Sequence, residues 1–517
     1  MQRLIEYGRK AAFGIRHNSR RVGHLSARFN RGLAYAWDLL VWSRVEAARA
    51  GMISLELPAA MLERKQVHTP PPHLLQVPEH ATHFQEGYAA VHALLFANLQ
   101  SPDILSCHRY AHPGPAFRGV YLWDSAFIAQ IWKHWDSAAA AEILQAVIAL
   151  RDGDRLQHVV ADFVQSAYTQ PPLIAWSLAR IPDLDPSLLK TLYPALKAYN
   201  GWLHRERQLP NHLFAWRHPY ESGIDNAPRF SNRDESRFRE TRTLGAPDFS
   251  SYVVLQLEAL SELARRLGRA GEAEEYVAEA EQIRAAIQRE LWHEADGLYY
   301  DRDIETGEFV RSRTIASLLP LWAGVPDARM AERLLTTIMD PGKFGGLMPL
   351  PSVALDDEAF SRDMWRGPVW MNVAYGVLLG MRRYGFDQEA GQLAWRLCDG
   401  VFRVFEAERQ IYEFYDPTAH STKALDRKKG NRWKALTLGT GPQREFVGWS
   451  GLVNSMIVEF LFGWDVQRPD APPRPMFPPE AAGCWRLELP SGRKLEVNTA
   501  SPANPDSSTR AESPVPR

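Results

Sequence analysis

The pattern of hydrophobic and polar positions is helical almost throughout the stretch from residue 84 to residue 465. Apolar residues recur at the spacing of one helix face, and signals such as Pro186-Ser187 and Pro326-Asp327 mark helix starts. The pattern predicts helices over 84–99, 124–135, 138–150, 171–180, 187–206, 247–268, 272–291, 314–323, 327–339, 368–384, 388–406 and 449–463.

Two kinds of helix alternate along this stretch. Residues 368–381 (PVWMNVAYGVLLGM) are apolar on most faces, whereas residues 270–291 are charged on one side. A helix that is apolar all round must be buried, and a one-sided helix lies outside it. The alternation predicts an all-α protein built as two concentric rings, an (α/α)6 barrel, with small β hairpins in its loops. A curved α-solenoid is the alternative, but no fixed repeat of about 34 to 47 residues is visible.

Three parts of the chain differ in composition, which predicts three domains. Residues 1–80 form an N-terminal helical extension, with a helix near 31–50, and a linker rich in Pro and His. Residues 81–465 form the barrel. Residues 466–517 contain a short hairpin and a polar C-terminal tail that we expect to be disordered.

Strand patterns are few and short. Residues 158–164 read as one strand, residues 297–309 as a hairpin between helices, and residues 485–497 as the terminal hairpin.

Composition and charge narrow the possible partners. The formal net charge is −1, so we expect neither nucleic acid nor a membrane surface as a partner. The three cysteines, Cys107, Cys398 and Cys484, are far apart in the sequence and suggest no disulfide framework. No run of about 18 apolar residues predicts a transmembrane helix, and the basic N-terminal segment lacks the apolar core of a signal peptide. We therefore expect a cytoplasmic protein. No metal-ligand cluster, P-loop or Rossmann pattern is evident, so we expect no metal and no cofactor.

The segment whose residues are best suited to catalysis is 221–230, ESGIDNAPRF. It places Glu221 and Asp225 four residues apart on a backbone that Gly and Pro keep from being a plain helix. Acid/base chemistry on an uncharged substrate needs a carboxyl group on such a backbone. The alternative is a surface loop whose Asp caps the next helix.

Other loops carry aromatic residues beside polar ones. Trp123-Asp124 stands at a helix start, where Asp124 could instead be an N-cap, and Gln170 precedes two prolines that are also ordinary helix punctuation. Trp365-Arg366 sets a guanidinium between two indoles, which a structural Arg–Trp pair would equally explain. Glu413 lies among aromatics in IYEFYDP. Together, and with 17 Trp in the chain, these residues predict a site for a small oligosaccharide or glycoside.

The motifs GVYLWDSAF, TQPP, ESGIDNAPRF, LPSVALDDEAF, MWRGPVW and FYDP…GWS occur in one order. In that order the chain resembles glycoside hydrolase family 63 and its trehalase relatives over residues 84–463, and within the family it is most similar to mannosylglycerate and glucosylglycerate hydrolases. The resemblance implies an (α/α)6 barrel and an inverting, exo-acting hydrolase of an α-glucoside or α-mannoside. It also implies that Asp225 is the general acid and Glu413 the general base. The residues that it places around the substrate are Trp123, Asp124, Gln170, Trp365 and Arg366, with Glu221 in a supporting role.

One segment departs from the family pattern. Residues 418–447 form a long basic insertion where the family has a short link, and our hypothesis is a lid that favours an anionic aglycone. A solvated, mobile charged loop is the alternative. The insertion also leaves Asp416 and Glu445 as alternative bases. Two other functions stay open: a sugar epimerase or lyase on the same barrel, and a non-catalytic toroid that binds glycans or protein.

Overall fold

The computed structural model describes residues 75–499 apart from positions 163, 232–240 and 491, together with seven positions between 33 and 47. All twelve predicted helical segments are present in this part. The α-helices are α1 (Thr82–Asn98), α2 (Leu122–Trp132), α3 (Ser137–Ala149), α4 (Ile174–Ala179), α5 (Pro186–Arg207), α6 (Pro247–Arg266), α7 (Ala270–Leu291), α8 (Ala328–Met339), α9 (Met371–Arg383), α10 (Asp387–Glu408), α11 (Arg432–Leu438) and α12 (Leu452–Met456).

Six helical segments form a closed inner ring. They are α2, α4, α6, a 3-10 helix (Ile315–Leu321), α9 and α12, and each packs against the next, with α12 returning to α2. Every residue of α2 and α4 is buried, as expected for helices that are apolar on all faces. The helices α5 and α7 bury one side only. The protein is therefore a helical toroid, which confirms the predicted fold class at that level.

Several helices begin where the sequence signals predict. The carboxylates of Asp185 and Asp327 accept backbone N–H bonds from Ser187 and Met330 at the starts of α5 and α8. The predicted helix over 314–323 is a 3-10 helix because Pro320 cannot donate the backbone bond of an α-turn. Helix α11, inside the basic insertion, was not predicted.

The strands are short and lie in the loops. They are β1 (Leu75–Gln76), β2 (Leu99–Gln100), β3 (Tyr110–Ala111), β4 (Val120–Tyr121), β5 (Val159–Ala161), β6 (Val164–Gln165), β7 (Leu244–Gly245), β8 (Trp292–His293), β9 (Leu298–Tyr299), β10 (Asp301–Asp303), β11 (Phe309–Val310), β12 (Gly483–Glu488) and β13 (Lys494–Thr499). The predicted terminal hairpin is the antiparallel pair β12 and β13, and β1 pairs with β12 on its other edge. Trp485 of β12 packs edge-on against Phe84 and Trp395, which attaches the hairpin to α1 and α10.

The structure describes only some of the residues for which predictions were made at the two ends of the chain. The described positions between 33 and 47 are helical, whereas the rest of the predicted N-terminal helix, the linker up to residue 74 and the tail from residue 500 lie outside the described residues. Within the described residues, no helix is long and apolar enough to cross a membrane, and no group of three metal-ligating side chains comes together. The three cysteines are free thiols.

Candidate active site

A cavity of about 150 Å³ lies at the N-terminal ends of the inner helices. We call it the inner cavity. It brings together Asp225 and Glu413, which are far apart in sequence, with the predicted Gln170 and Trp365. Its further lining residues are Phe117, His158, Tyr220, Gly223, Met364, Trp370, Arg427, Lys428, Leu438 and Trp449. Ligand pockets are commonly about 300–1,000 Å³, so this cavity is small for a substrate.

The loop that carries Asp225 is shaped by two 3-10 turns, Pro219–Ser222 and Pro228–Phe230. Between them Gly223 adopts a φ of +75°, and a Cβ there would lie 2.3 Å from the Trp123 ring. Only glycine can adopt this conformation under the indole without strain. The loop thereby packs against Trp123 and contributes Asp225 to the lining of the inner cavity.

Polar anchors hold the same loop from both sides. The Asn226 side chain accepts the Trp365 N–H at 2.9 Å and donates to the Asp363 carbonyl at 3.2 Å. This pair of bonds ties the acid motif to the MWRG motif. Arg229 is buried and pairs with Asp248 and Asp301.

Glu221 lies behind the loop rather than in the cavity. It is completely buried, and the Arg207 guanidinium donates to its two oxygens at 2.7 and 3.1 Å. The Arg217 N–H adds a third bond at 2.9 Å. Burial opposes the charge of Glu221, but Arg207 outweighs it and lowers the pKa of the carboxyl group. These contacts fit the supporting role expected from the family resemblance.

Glu413 stands on an extended segment, lines the inner cavity together with Asp225 and is 4% exposed. Its carbonyl accepts the Trp449 indole N–H at 2.8 Å, and its carboxylate accepts the Gln443 N–H at 3.3 Å. Asp416, by contrast, is bound by Arg362 at 2.9 Å and by the backbone N–H of Thr418.

Of the three candidate bases, Glu413 is the one that lines the inner cavity. Asp416 is engaged in its own turn, and Glu445 is solvent-exposed. Position therefore favours Glu413 over both alternatives.

The basic insertion supplies a cation to each of the two carboxylates. Arg427 forms an ion pair with Glu413, and the neighbouring Lys428 forms one with Asp225. Burial lowers the pKa of Arg427 to about 10, although Asp225 and Asp363 work in the opposite direction. A buried Arg427 is incompatible with a wholly solvated loop. The sequence marked these residues as basic but did not predict the pairing.

Asp124 is a buried carboxyl group rather than a helix cap. Helix α2 begins at Leu122, and no side chain caps its start, so the N-cap interpretation is wrong. Asp124 is 5% exposed, and this burial raises its pKa to about 7. The side-chain oxygen of Gln170 accepts the backbone N–H of the preceding residue, Trp123, at 3.4 Å. Asp124 is therefore a buried carboxyl group with a raised pKa that does not itself line the inner cavity.

We expect Asp124→Asn to change how stability depends on pH. The pKa of Asp124 lies above its ordinary value of 3.8, so between about pH 4 and pH 7 the folded protein binds more protons than the unfolded chain. Stability from this group is present at low pH and is lost as pH rises to 7, by up to roughly 4 kcal/mol. Urea unfolding at pH 5 and pH 8 should show a smaller decrease in the variant; an equal decrease would contradict the assignment.

Trp365 and Arg366 do not stack on each other. The Trp365 and Trp370 rings stack instead, with centroids 3.8 Å apart and planes at 8°. The Arg366 guanidinium reaches Ser231 Oγ at 3.2 Å. The expectation of an arginine held between two indoles is therefore wrong, and the indoles support each other because flat apolar rings bury most area when stacked.

A second, wider cavity lies beside the first, with a volume of about 900 Å³. We call it the outer cavity. Tyr220 and Lys428 line both cavities, so the two meet at these side chains. Arg366, predicted to contact substrate, lines the outer cavity. The other residues around it are Asn226, Ser231, Ser361, Arg362, Asp363, Ala424, Asp426, Lys429 and Asn431.

Some lining residues had no part in the sequence predictions. Trp449 belongs to the GWS motif, which was recognised only as a sequence pattern, and Phe117, His158 and Tyr220 carried no signal of their own. An aromatic or histidine in a long loop is too common to single out without the fold.

Comparison with known proteins places this chain in a family. The model of the mannosylglycerate hydrolase MGH1-like glycoside hydrolase domain matches residues 118–432. A mannosylglycerate hydrolase of Thermus thermophilus is 28% identical over 372 residues, which cover 57% of this chain and 88% of that protein.

Solved structures share the same fold. A glycoside hydrolase family 63 mannosylglycerate hydrolase from Thermus thermophilus, in complex with glucose, superposes with a TM-score of 0.58 at 23% identity. The match covers 71% of this chain and 99% of that one. Neutral trehalase Nth1 of Saccharomyces cerevisiae superposes with a TM-score of 0.54 at 16% identity over 71% of this chain and 76% of its own.

Proposed function

This chain belongs to the mannosylglycerate hydrolase MGH1-like glycoside hydrolase family, and we propose that it is an inverting, exo-acting hydrolase of an α-mannoside or α-glucoside with a small acidic aglycone such as glycerate. The observation that carries the proposal is the inner cavity, where Asp225 and Glu413 meet among indole rings. Because the family is one of glycosidases, the protein is a glycosidase; the epimerase, lyase and non-catalytic toroid are not favoured.

The fold supports this proposal at the level of architecture. We propose that residues 81–465 are the catalytic (α/α)6 barrel, with the inner ring of six segments as its inner layer. Residues 1–80 and 466–517 are proposed as accessory parts at the two ends. A cytoplasmic location stays a prediction.

The proposed mechanism uses two carboxyl groups on opposite sides of the sugar. Asp225, protonated, gives its proton to the glycosidic oxygen as the aglycone leaves. Glu413, ionised, removes a proton from a water molecule that attacks the anomeric carbon from the other face. Inversion requires a separation of about 6.5–9.5 Å between the carboxyl groups, which leaves room for that water.

The remaining predicted residues would hold the sugar. The stacked Trp365 and Trp370 would offer an apolar face to the pyranose ring, and Gln170, which lines the same cavity, would bind its hydroxyl groups. We propose a similar role for Asp124, which is buried next to Trp123 in the chain. Trp123 supports the acid loop under Gly223. Arg366, in the outer cavity, would meet the aglycone.

The test of this proposal is a time-resolved NMR assay of the released anomer. Mannosylglycerate, glucosylglycerate, trehalose and the methyl α-glycosides of mannose and glucose form the panel. We expect hydrolysis of at least one glycerate glycoside, with the β-anomer of the sugar appearing before mutarotation. The α-anomer appearing first would overturn inversion, and no turnover of any member would overturn the substrate class.

A further inference from the structure

Residues Leu425–Asn431 of the basic insertion contribute lining residues to both cavities: Arg427 lines the inner one, Asp426, Lys429 and Asn431 the outer one, and Lys428 both. We call Leu425–Asn431 the latch segment. The Asp426 N–H donates to the Arg362 carbonyl at 2.8 Å, and the Met364 N–H donates to the Asp426 carbonyl at 3.1 Å. The Lys429 N–H adds a bond to Asp363 Oδ2 at 3.2 Å. These hydrogen bonds attach the latch segment to the loop of the MWRG motif, so its backbone is not free in solvent.

The latch segment places its two consecutive cations on the two carboxylates. Arg427, with a side chain 4% exposed, meets Glu413, and Lys428 meets Asp225. Lys428 has a φ of +48°, in the left-handed region that non-glycine residues rarely adopt. Such strain persists where the surrounding contacts require one side-chain direction. Here the contacts are those with Asp225 and, at 5.0 Å, the Tyr220 ring.

This arrangement is unsuited to glycoside hydrolysis. A general acid must present its carboxyl group to the glycosidic oxygen, and Asp225 is instead in contact with the Lys428 ammonium group. A general base must accept a hydrogen bond from water, and Glu413 is occupied by a guanidinium. Arg427 and Lys428 also line the small inner cavity, so their side chains limit the space left for a substrate there. Turnover requires both cations to move away.

The outer cavity holds the means of moving one of them. Its lining includes the cations Arg362, Arg366, Lys428 and Lys429 against the two carboxylates of Asp363 and Asp426. Lys428 lines both cavities, so an anion in the outer cavity competes directly with Asp225 for its ammonium group. A neutral group in the same place offers no such competition.

We propose that the latch segment is an autoinhibitory latch that the carboxylate of an acidic aglycone releases by taking Lys428 from Asp225. This inference rests on the proposed function, since it assigns Asp225 and Glu413 their roles. It makes Lys428 a residue that sets specificity through release, in addition to any contact with bound aglycone. Neutral glycosides are then poor substrates because they leave Asp225 paired with Lys428.

The decisive experiment compares two substrates that differ in one charge. They are α-mannosylglycerate and its neutral amide, with the glucosyl pair run in parallel. The variants are Lys428→Met and, as the matched control, Lys423→Met, which removes the same charge from an exposed side chain of the same insertion that lines neither cavity. We expect Lys428→Met to raise kcat on the amide at least about tenfold, the population change produced by about 1.4 kcal/mol, and to narrow the preference for the acid. Lys423→Met should behave as the wild type.

Other outcomes would overturn the latch. If Lys428→Met lowers kcat/KM on the acid and leaves the amide unchanged, Lys428 only binds the aglycone. If both substrates become slower, Lys428 positions Asp225 for catalysis. The three roles of Lys428 predict different changes in kcat and kcat/KM on the acid and on the amide, so the same assay distinguishes them.

A binding measurement that needs no turnover separates failure of the latch from failure of the proposed function. Calorimetry with D-glycerate should show about tenfold tighter binding to Asp225→Asn, because Lys428 loses its internal competitor. The gain should vanish in Asp225→Asn combined with Lys428→Met. A gain that persists in the double variant reflects simple charge repulsion and overturns the latch, as does no gain at all. If glycerate binding changes as expected in the single and double variants but no glycoside is hydrolysed, only the proposed function is overturned.

Discussion

Asp225→Asn is expected to slow hydrolysis of a natural α-glycoside by about 10²- to 10⁴-fold, the usual contribution of general acid catalysis. The amide keeps the size of the carboxyl group but has no acidic proton for the leaving oxygen. The same variant should retain most activity on the corresponding α-glycosyl fluoride, whose leaving group departs without protonation. Glu413→Gln should lose activity on both substrates, because both need an activated water molecule. The measurement is kcat for each enzyme on each substrate.

Comparing the glycoside with the fluoride distinguishes the general acid from the general base, whereas a loss of activity on one substrate would show only that a residue matters. An Asp225→Asn enzyme that is equally slow on the fluoride would not have lost a general acid. Glu445→Gln is the control for the base, since Glu445 is solvent-exposed and does not line the inner cavity. Full activity of Glu413→Gln would move the base to another residue. Thermal unfolding of each variant shows whether the fold is retained.

Arg229→Met is expected to destabilise the protein by about 3–5 kcal/mol, the cost of removing one partner from a buried ion pair. Arg229 is 1% exposed and binds Asp248 and Asp301, so its loss leaves two buried carboxylates without their cation. Burial raises the pKa of Asp301 to about 6 even with Arg229 present. The free energy of unfolding, from urea denaturation, is the measurement.

The sign of the pH effect gives this prediction a second check. Asp301 already holds its proton more tightly in the folded protein than in the unfolded chain, and loss of Arg229 increases this difference. The variant should therefore lose further stability as pH rises from 5 to 8. Arg266→Met, which breaks the partly exposed pair with Glu262, is the control and should cost no more than about 1 kcal/mol. A similar cost for both variants would contradict the role of burial.

Both predictions concern one loop, and they separate its two ends. Asp225 faces the cavity, whereas Arg229, four residues later, lies in the protein interior. The ESGIDNAPRF motif thus joins a group exposed to substrate with the ion network that fixes its position. We expect Arg229→Met to lower activity as well, through displacement of Asp225.

Local sequence patterns determined the helices of this protein and most of their ends. Helical periodicity and cap residues act within a few turns of chain, so the twelve helical segments and the terminal hairpin could be predicted without the fold. The motifs around Asp225 and Glu413 could also be recognised, because each is a short run of unusual residues. The same local reasoning took Asp124 for a possible helix cap and set Arg366 between two indoles.

Tertiary structure alone decided which of these residues meet. Asp225 and Glu413 share a cavity because six helical segments close into a ring, and ring closure depends on packing over hundreds of residues. The pairing of Arg427 and Lys428 with these carboxylates is equally non-local: a basic run predicts charge, but burial and direction come from the surrounding walls. The sequence by itself determined the helices and the chemical groups; the closed toroid decided their mutual placement, because electrostatic pairing and desolvation depend on distance in space and not on separation along the chain.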